Sequence, residues 1–235
     1  MIDQLAQWVR GQLAAAMDED FRRGQYRFFQ EAVSNYGVRG EDVKRIAAEL
    51  YRRVKAWPAT DRNKLCEVLW KSGKLEEGVV AIYLYRRFAR QCGAAEFGMF
   101  TRWIDHYVRN WAHTDGVSSW LLAASIANAP ELIERLPAWT TSTNRWKRRA
   151  AAVALLQEAK QGRNTEAIFR VASLLLKDPD DMVQKGVGWL LKETYPKRPR
   201  ETVAFLSAWK HRTTRLVLRY AAEKMTGRDK AEVLN

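Results

Sequence analysis

The sequence predicts an all-α protein, on three observations. Apolar residues recur at helical spacing along the whole 235-residue chain. No stretch alternates apolar and polar residues as a half-buried strand would, and no Asn-Gly or Asp-Gly turn separates two strand-like runs. The breaks between helical stretches are short and frequent, so each helix must bury its apolar face against other helices.

In chain order, Leu5, Trp8, Val9, Leu13 and Ala16 give a first helix over 4–16 one apolar face. Phe21, Phe28, Phe29, Ala32 and Val33 carry helical spacing from 18 to 35, with Gly37 placed after Tyr36 as a stop. Val43, Ile46, Ala47, Leu50 and Val54 mark the next helix. It ends at Trp57-Pro58, because proline pushes the residue before it out of helical conformation. Asp61 is placed to cap a helix carrying Leu65, Val68 and Leu69, which Gly73 stops. The stretch 76–90 is apolar around much of its circumference and belongs between neighbours. The stretch 96–110 carries Phe100, Trp103, Ile104, Tyr107 and Val108. Shorter helices follow at roughly 117–127, 130–139, 145–160, 165–177, 181–194, 199–209 and 212–225.

The pattern repeats. Ala150, Val153 and Ala154 are matched by Val187, Leu190 and Leu191, a spacing of about 37 residues. That lies in the range of two- or three-helix HEAT-type repeats, about 35–47 residues. Such repeats stack into a curved array with a concave face. The expected architecture is a HEAT-like helical repeat solenoid with a concave basic groove, in one domain over 1–235, because no linker-like stretch interrupts it.

Charge points to the partner. Forty Lys and Arg stand against 27 Asp and Glu, a formal net charge of +13 that favours polyanions. Ten tryptophans exceed ordinary core needs, and Trp beside Arg suits stacking against bases, sugars or cations. The two cysteines, Cys66 and Cys92, are far apart and lack a Cys or His at metal-ligand spacing. The amphipathic, early-acidic start is unlike a signal peptide, and no run approaches the roughly 20 apolar residues of a membrane span. The expectation is a soluble cytoplasmic monomer without metal or cofactor.

Three segments concentrate the chemistry. In the first, Trp111-Ala112-His113-Thr114-Asp115-Gly116-Val117, a tryptophan and an acid stand four residues apart at a helix junction. Trp111 continues the stripe Phe100, Trp103, Tyr107, so it is either core or contact residue; Asp115 is either a cap for Val117, Trp120 and Leu121 or a catalytic acid. His113 reads as an exposed loop side chain.

In the second segment Trp146, Ala150, Val153 and Ala154 form a core stripe. Arg149 lies at its edge beside Arg145, and Arg148 points to the far side. Arg149 is either a fork held for a phosphate or part of a solvated charge run. In the third, Val183, Val187, Leu190 and Thr194 share one face, while Trp189 falls roughly 120° away beside Lys185 and Lys192. There it is either a groove residue or one buried by a neighbouring repeat. Arg212, Arg215 and Arg219 form a further basic stripe, within about 60° of one another.

In these residues the chain resembles the AlkD-like DNA alkylation repair glycosylases, a family of HEAT-like repeat proteins, most clearly from about 100 to 225. Trp111 and Asp115 look like the family's tryptophan and catalytic aspartate, Arg149 like its phosphate-clamping arginine, and Trp189 like its second tryptophan. The family's N-terminal aromatic has Tyr26, Phe28 and Phe29 as candidates here, Tyr26 and Phe28 foremost. The resemblance implies action on N3- and N7-alkylated purines in double-stranded DNA, read through the backbone without a base pocket. Asp115 would stabilise the oxocarbenium ion and position water, Trp111 and Trp189 would offer π faces, and Arg149 would anchor a phosphate. A non-catalytic HEAT-repeat scaffold recognising DNA structure is the alternative, and it would not need Asp115.

Overall fold

The computed structural model describes residues 1–29 and 31–235, and of Tyr26 the backbone alone. The fold is all-helical, and the only β pairing among the described residues is an isolated parallel bridge between Ser34 and Lys74. The chain divides into two compact units, Met1–Val117 and Ser118–Asn235.

The first unit comprises α1 (Ile2–Ala15), α2 (Glu19–Gln25), α3 (Gly40–Val54), α4 (Ala59–Trp70), α5 (Leu75–Arg86), α6 (Ala94–His106) and α7 (Trp111–Gly116). The expected faces are the buried ones: Val9 and Leu13 of α1, Ile46, Leu50 and Val54 of α3, and Phe100, Trp103 and Ile104 of α6 are all sealed from solvent. As its all-round apolarity required, α5 lies between neighbours and packs on both α3 and α4.

The helix expected over 18–35 is much shorter. After α2 a single 3-10 turn, Tyr26–Phe28, ends it. A buried carboxylate holds the segment just beyond it. Glu76 of α5 accepts the backbone N–H groups of Tyr36 at 2.9 Å, Gly37 at 2.9 Å and Val38 at 3.1 Å, so these donors go to a side chain instead of a helical ladder. Gly37 takes φ +80°, and a Cβ there would come within 2.4 Å of the Arg22 Cβ. Glu77, also buried, accepts from Arg10 at 3.1 Å and from the Tyr36 hydroxyl at 2.8 Å.

Two caps differ from expectation. Pro58, not Asp61, stands at the N-cap of α4; Asp61 lies in the first turn, where a carboxylate favours the helix dipole. The helix expected from 117 starts at Trp111, capped by Asn110, so Asp115 lies within it and is not its cap. A π-helical stretch, Val117–Leu122, follows.

The second unit continues with α8 (Ala123–Asn128), α9 (Arg145–Val153), α10 (Leu156–Gln161), α11 (Thr165–Leu175), α12 (Asp181–Thr194), α13 (Pro199–Trp209), α14 (Arg215–Ala221) and α15 (Gly227–Leu234), the last unanticipated from sequence. The stretch 130–139 forms two 3-10 helices, Pro130–Arg135 and Pro137–Thr141, each with proline in its first turn. The helix expected over 145–160 breaks into α9 and α10, and Gly162 closes α10 in the left-handed region at φ 68°. At the centre, α12 packs against α9, α10, α11 and α14. Its glycines permit this: a Cβ on Gly186 would meet the Arg149 Cγ at 3.1 Å, and one on Gly188 would meet the Tyr220 Cβ at 2.4 Å.

Candidate nucleic-acid interface

The short helix α7 carries the first group. Trp111 and Asp115 stand one turn apart on it, so their side chains share a face, and both are half-buried. The Trp111 indole N–H donates to the Phe28 carbonyl at 3.0 Å. Phe29 stacks on its ring at 5.6 Å with planes 23° apart, which holds the indole between the N-terminal segment and solvent. Phe28 itself is 72% exposed. Tyr26 was the other N-terminal candidate, and its side chain lies outside the described residues.

His113 is not the exposed loop residue its polar neighbourhood suggested. It is buried, on the inner face of α7, and its ring meets Trp70 edge-on at 4.8 Å. Nε2 lies 2.8 Å from the Leu75 carbonyl oxygen and Nδ1 3.2 Å from the Asn110 amide nitrogen. Burial pulls its pKa down from 6.5 to about 4, with the Leu75 carbonyl opposing the shift. Asn110 also accepts the His113 backbone N–H at 2.9 Å. An asparagine just ahead of Trp111 was a readable N-cap signal. The partner on Leu75 is a backbone atom, which no side-chain pattern reveals.

The second unit holds the cations. Arg145 opens α9, lies over the Trp146 ring at 4.5 Å and pairs with Asp180 at 3.1 Å. Arg148 grips Asp178 through two bonds of 2.6 and 3.2 Å and donates to the Ser142 carbonyl at 2.8 Å, bracing the turn before α9. Arg149 is buried, its stem on Gly186 and its guanidinium donating to the Met182 carbonyl.

On α12, Trp189 is half-buried, while its neighbours Gly188 and Leu190 are buried. Lys185 pairs with Asp181 at 3.3 Å and Lys192 with Glu223 at 2.7 Å. Arg212 lies over the Trp209 ring at 4.6 Å, and Arg215 donates to the Leu234 carbonyl. Arg219 is exposed on α14 and spends no charge on an acid among the described residues. Asp180 and Asp178 both serve α12 as well, Asp180 as its N-cap, so the arginines of α9 are tied to the start of the helix that carries Trp189.

Among the described residues no group of His, Cys, Asp and Glu is arranged to hold a metal ion, and no helix is long and apolar enough to cross a membrane. The fold is similar to that of a predicted DNA alkylation repair enzyme from Enterococcus faecalis, with a TM-score of 0.80 at 15% identity over 89% of this chain and 97% of that one. It is similar also to AlkD2 from Streptococcus mutans, with a TM-score of 0.62 at 18% identity over 80% of this chain and 90% of the other. A third similar structure, smu.31 from Streptococcus mutans UA159, has a TM-score of 0.60 at 18% identity, covering 78% of this chain and 100% of that one. No curated protein matches the sequence significantly. The family model described as DNA alkylation repair enzyme matches residues 9–225, and with that match spanning nearly its whole length the chain belongs to this family.

Proposed function

We propose that the protein is a monofunctional DNA glycosylase that hydrolyses the N-glycosidic bond of N3- or N7-alkylated purines in duplex DNA. Alkylation at either nitrogen makes the base cationic and a good leaving group. When the bond from the sugar carbon to the base nitrogen breaks, its electron pair goes to the base and neutralises it, so no general acid is needed. The sugar is left as an oxocarbenium ion. A carboxylate fixed nearby stabilises that charge and takes a proton from the water that attacks it. Asp115 is the residue assigned this role.

Trp111 and Trp189 would offer π faces to the sugar and the cationic base. Arg149 would hold a backbone phosphate. Arg145, Arg148, Lys185, Lys192, Arg212, Arg215 and Arg219 would contribute backbone contacts. Several of these now pair with acids, as Lys192 does with Glu223, and would exchange a carboxylate for a phosphate on binding. Phe28, with most of its ring in solvent, is the proposed N-terminal contact.

The observation that carries this reading is the shared face of Trp111 and Asp115 on a helix whose first turn is capped and whose inner side is sealed. The expected outcome for Asp115→Asn is a folded protein with near-normal DNA affinity that no longer releases 7-methylguanine from duplex DNA. Measuring free base and DNA binding on the same preparation checks it. Wild-type release by the Asn variant would remove Asp115 from the chemistry. Binding without release by the wild type would favour the non-catalytic scaffold.

A further inference from the structure

α7 is continuous with the π-helical stretch Val117–Leu122 that follows it, and its N-terminal turn, whose first N–H groups have no helical partner, is held by the groups that pack on it. Four groups converge to do so. Asn110 caps it by accepting the His113 N–H at 2.9 Å, and the Thr114 hydroxyl returns to the Asn110 carbonyl at 2.8 Å. Leu75, at the start of α5, accepts from the His113 ring at 2.8 Å. Gly78, one turn on, keeps α5 close: a Cβ there would lie 2.7 Å from the His113 Nε2 and 2.5 Å from Trp70.

The hydrogen bonds fix the ring's protonation. A carbonyl oxygen only accepts, so Nε2 carries the hydrogen. The Asn110 oxygen is occupied by a backbone N–H, so its amide nitrogen donates to Nδ1. Both ring nitrogens are satisfied in the neutral form, and a proton added at Nδ1 would face another donor. His113 lies about 200° around the helix from both Trp111 and Asp115, on the opposite face.

Resting on the reading above, we propose that His113 is a positioning residue for excision. Its imidazole, locked as the Nε2–H tautomer between Asn110 and the Leu75 carbonyl, fixes α7 to α5 so that Asp115 and Trp111 present one geometry to the sugar. An active-site group displaced by about 1 Å can lose a hundredfold in rate, so a pin behind the helix acts on turnover without touching substrate.

The test uses the whole chain. Asn110→Asp keeps the cap and the side-chain volume but offers Nδ1 no donor, so the ring keeps both bonds only when protonated. Lys74, Tyr107 and Arg109 line the cavity beside the ring, and Asp115 is on its own helix; these groups are unchanged between the two proteins. The His113 ring should then titrate at higher pH by NMR than in the wild type. Single-turnover release of 7-methylguanine should acquire a matching limb, falling severalfold as His113 loses its proton, with the DNA Kd within about twofold.

A second pair guards against a folding defect. His113→Leu should cut release about tenfold or more at an unchanged Kd, and His113→Gln, which can restore a donor to Leu75, should recover much of it. An unshifted titration in Asn110→Asp, or a shifted titration with a wild-type rate profile, overturns the proposal, as does wild-type release by His113→Leu. Asp115→Asn, assayed in parallel, separates the two failures. If it alone is inactive, only the role of His113 falls. If it is fully active, or the wild type releases no base, the catalytic reading falls and takes this one with it.

Discussion

Arg149 is the residue whose surroundings most changed its meaning. The sequence put it at the edge of the α9 core stripe, and the structure buries it, its stem against Gly186 and its guanidinium on the Met182 carbonyl. Arg149→Ala is expected to cost about 2–4 kcal/mol of stability, because it opens a void at the α9–α12 crossing and removes a hydrogen bond from the Met182 carbonyl. If Arg149 also holds a phosphate as proposed, the salt slope of DNA binding falls by about one. Chemical denaturation and DNA titrations at several salt concentrations check the two halves separately. Tryptophan positions were more legible. Trp189 was placed off the Val183–Val187–Leu190 stripe by helical geometry alone, and it is half-buried while those three are sealed. His113 was not legible, because burial came from α5, which is distant in sequence and contributes a backbone oxygen and a missing side chain.

Helices with strong apolar stripes, such as α3 and α12, came out of the sequence within a few residues of where they lie. One start was misread because a neighbouring side chain captured a backbone donor. Asn110, by accepting the His113 N–H, moved the start of α7 ahead of where the apolar spacing begins. Interhelical distances were not legible at all, since a glycine within a helical run looks only like a weak position. Gly188 is the decisive one. In isolation Gly→Ala would favour α12 by about 1 kcal/mol. Here the new Cβ lands 2.4 Å from the Tyr220 Cβ and 3.2 Å from the Val217 carbonyl oxygen. Gly188→Ala should therefore destabilise by about 1–3 kcal/mol by prying α14 from α12, measurable as a lowered Tm.

On the scale of the whole molecule, acid sensitivity follows from one buried ring. His113 has a folded pKa of about 4 against 6.5 when free, so between those values the unfolded chain binds the extra proton. Stability is then full above about pH 6.5 and declines as pH falls toward 4, by an amount on the order of 3 kcal/mol for such a shift. Urea denaturation at pH 7, 5.5 and 4 should show this decline, and His113→Leu should flatten it over the same window. The excess of positive charge acts in the same direction, because lowering pH adds to self-repulsion in the compact state.

The two cysteines close on a matter of survival. Reagents that alkylate purines also alkylate proteins, and a thiolate is the first nucleophile they find. Cys66 and Cys92 are both sealed from solvent, and burial pushes the Cys92 thiol up to about 12 and the Cys66 thiol higher still. Both therefore stay protonated and out of reach. A member of a family named for repairing alkylated DNA is in this way shielded, at its own softest atoms, from the poison whose damage the family meets. Native protein should give no fast reaction with Ellman's reagent, while both thiols react once the chain is unfolded; a rapid native thiol would show that this shield is open.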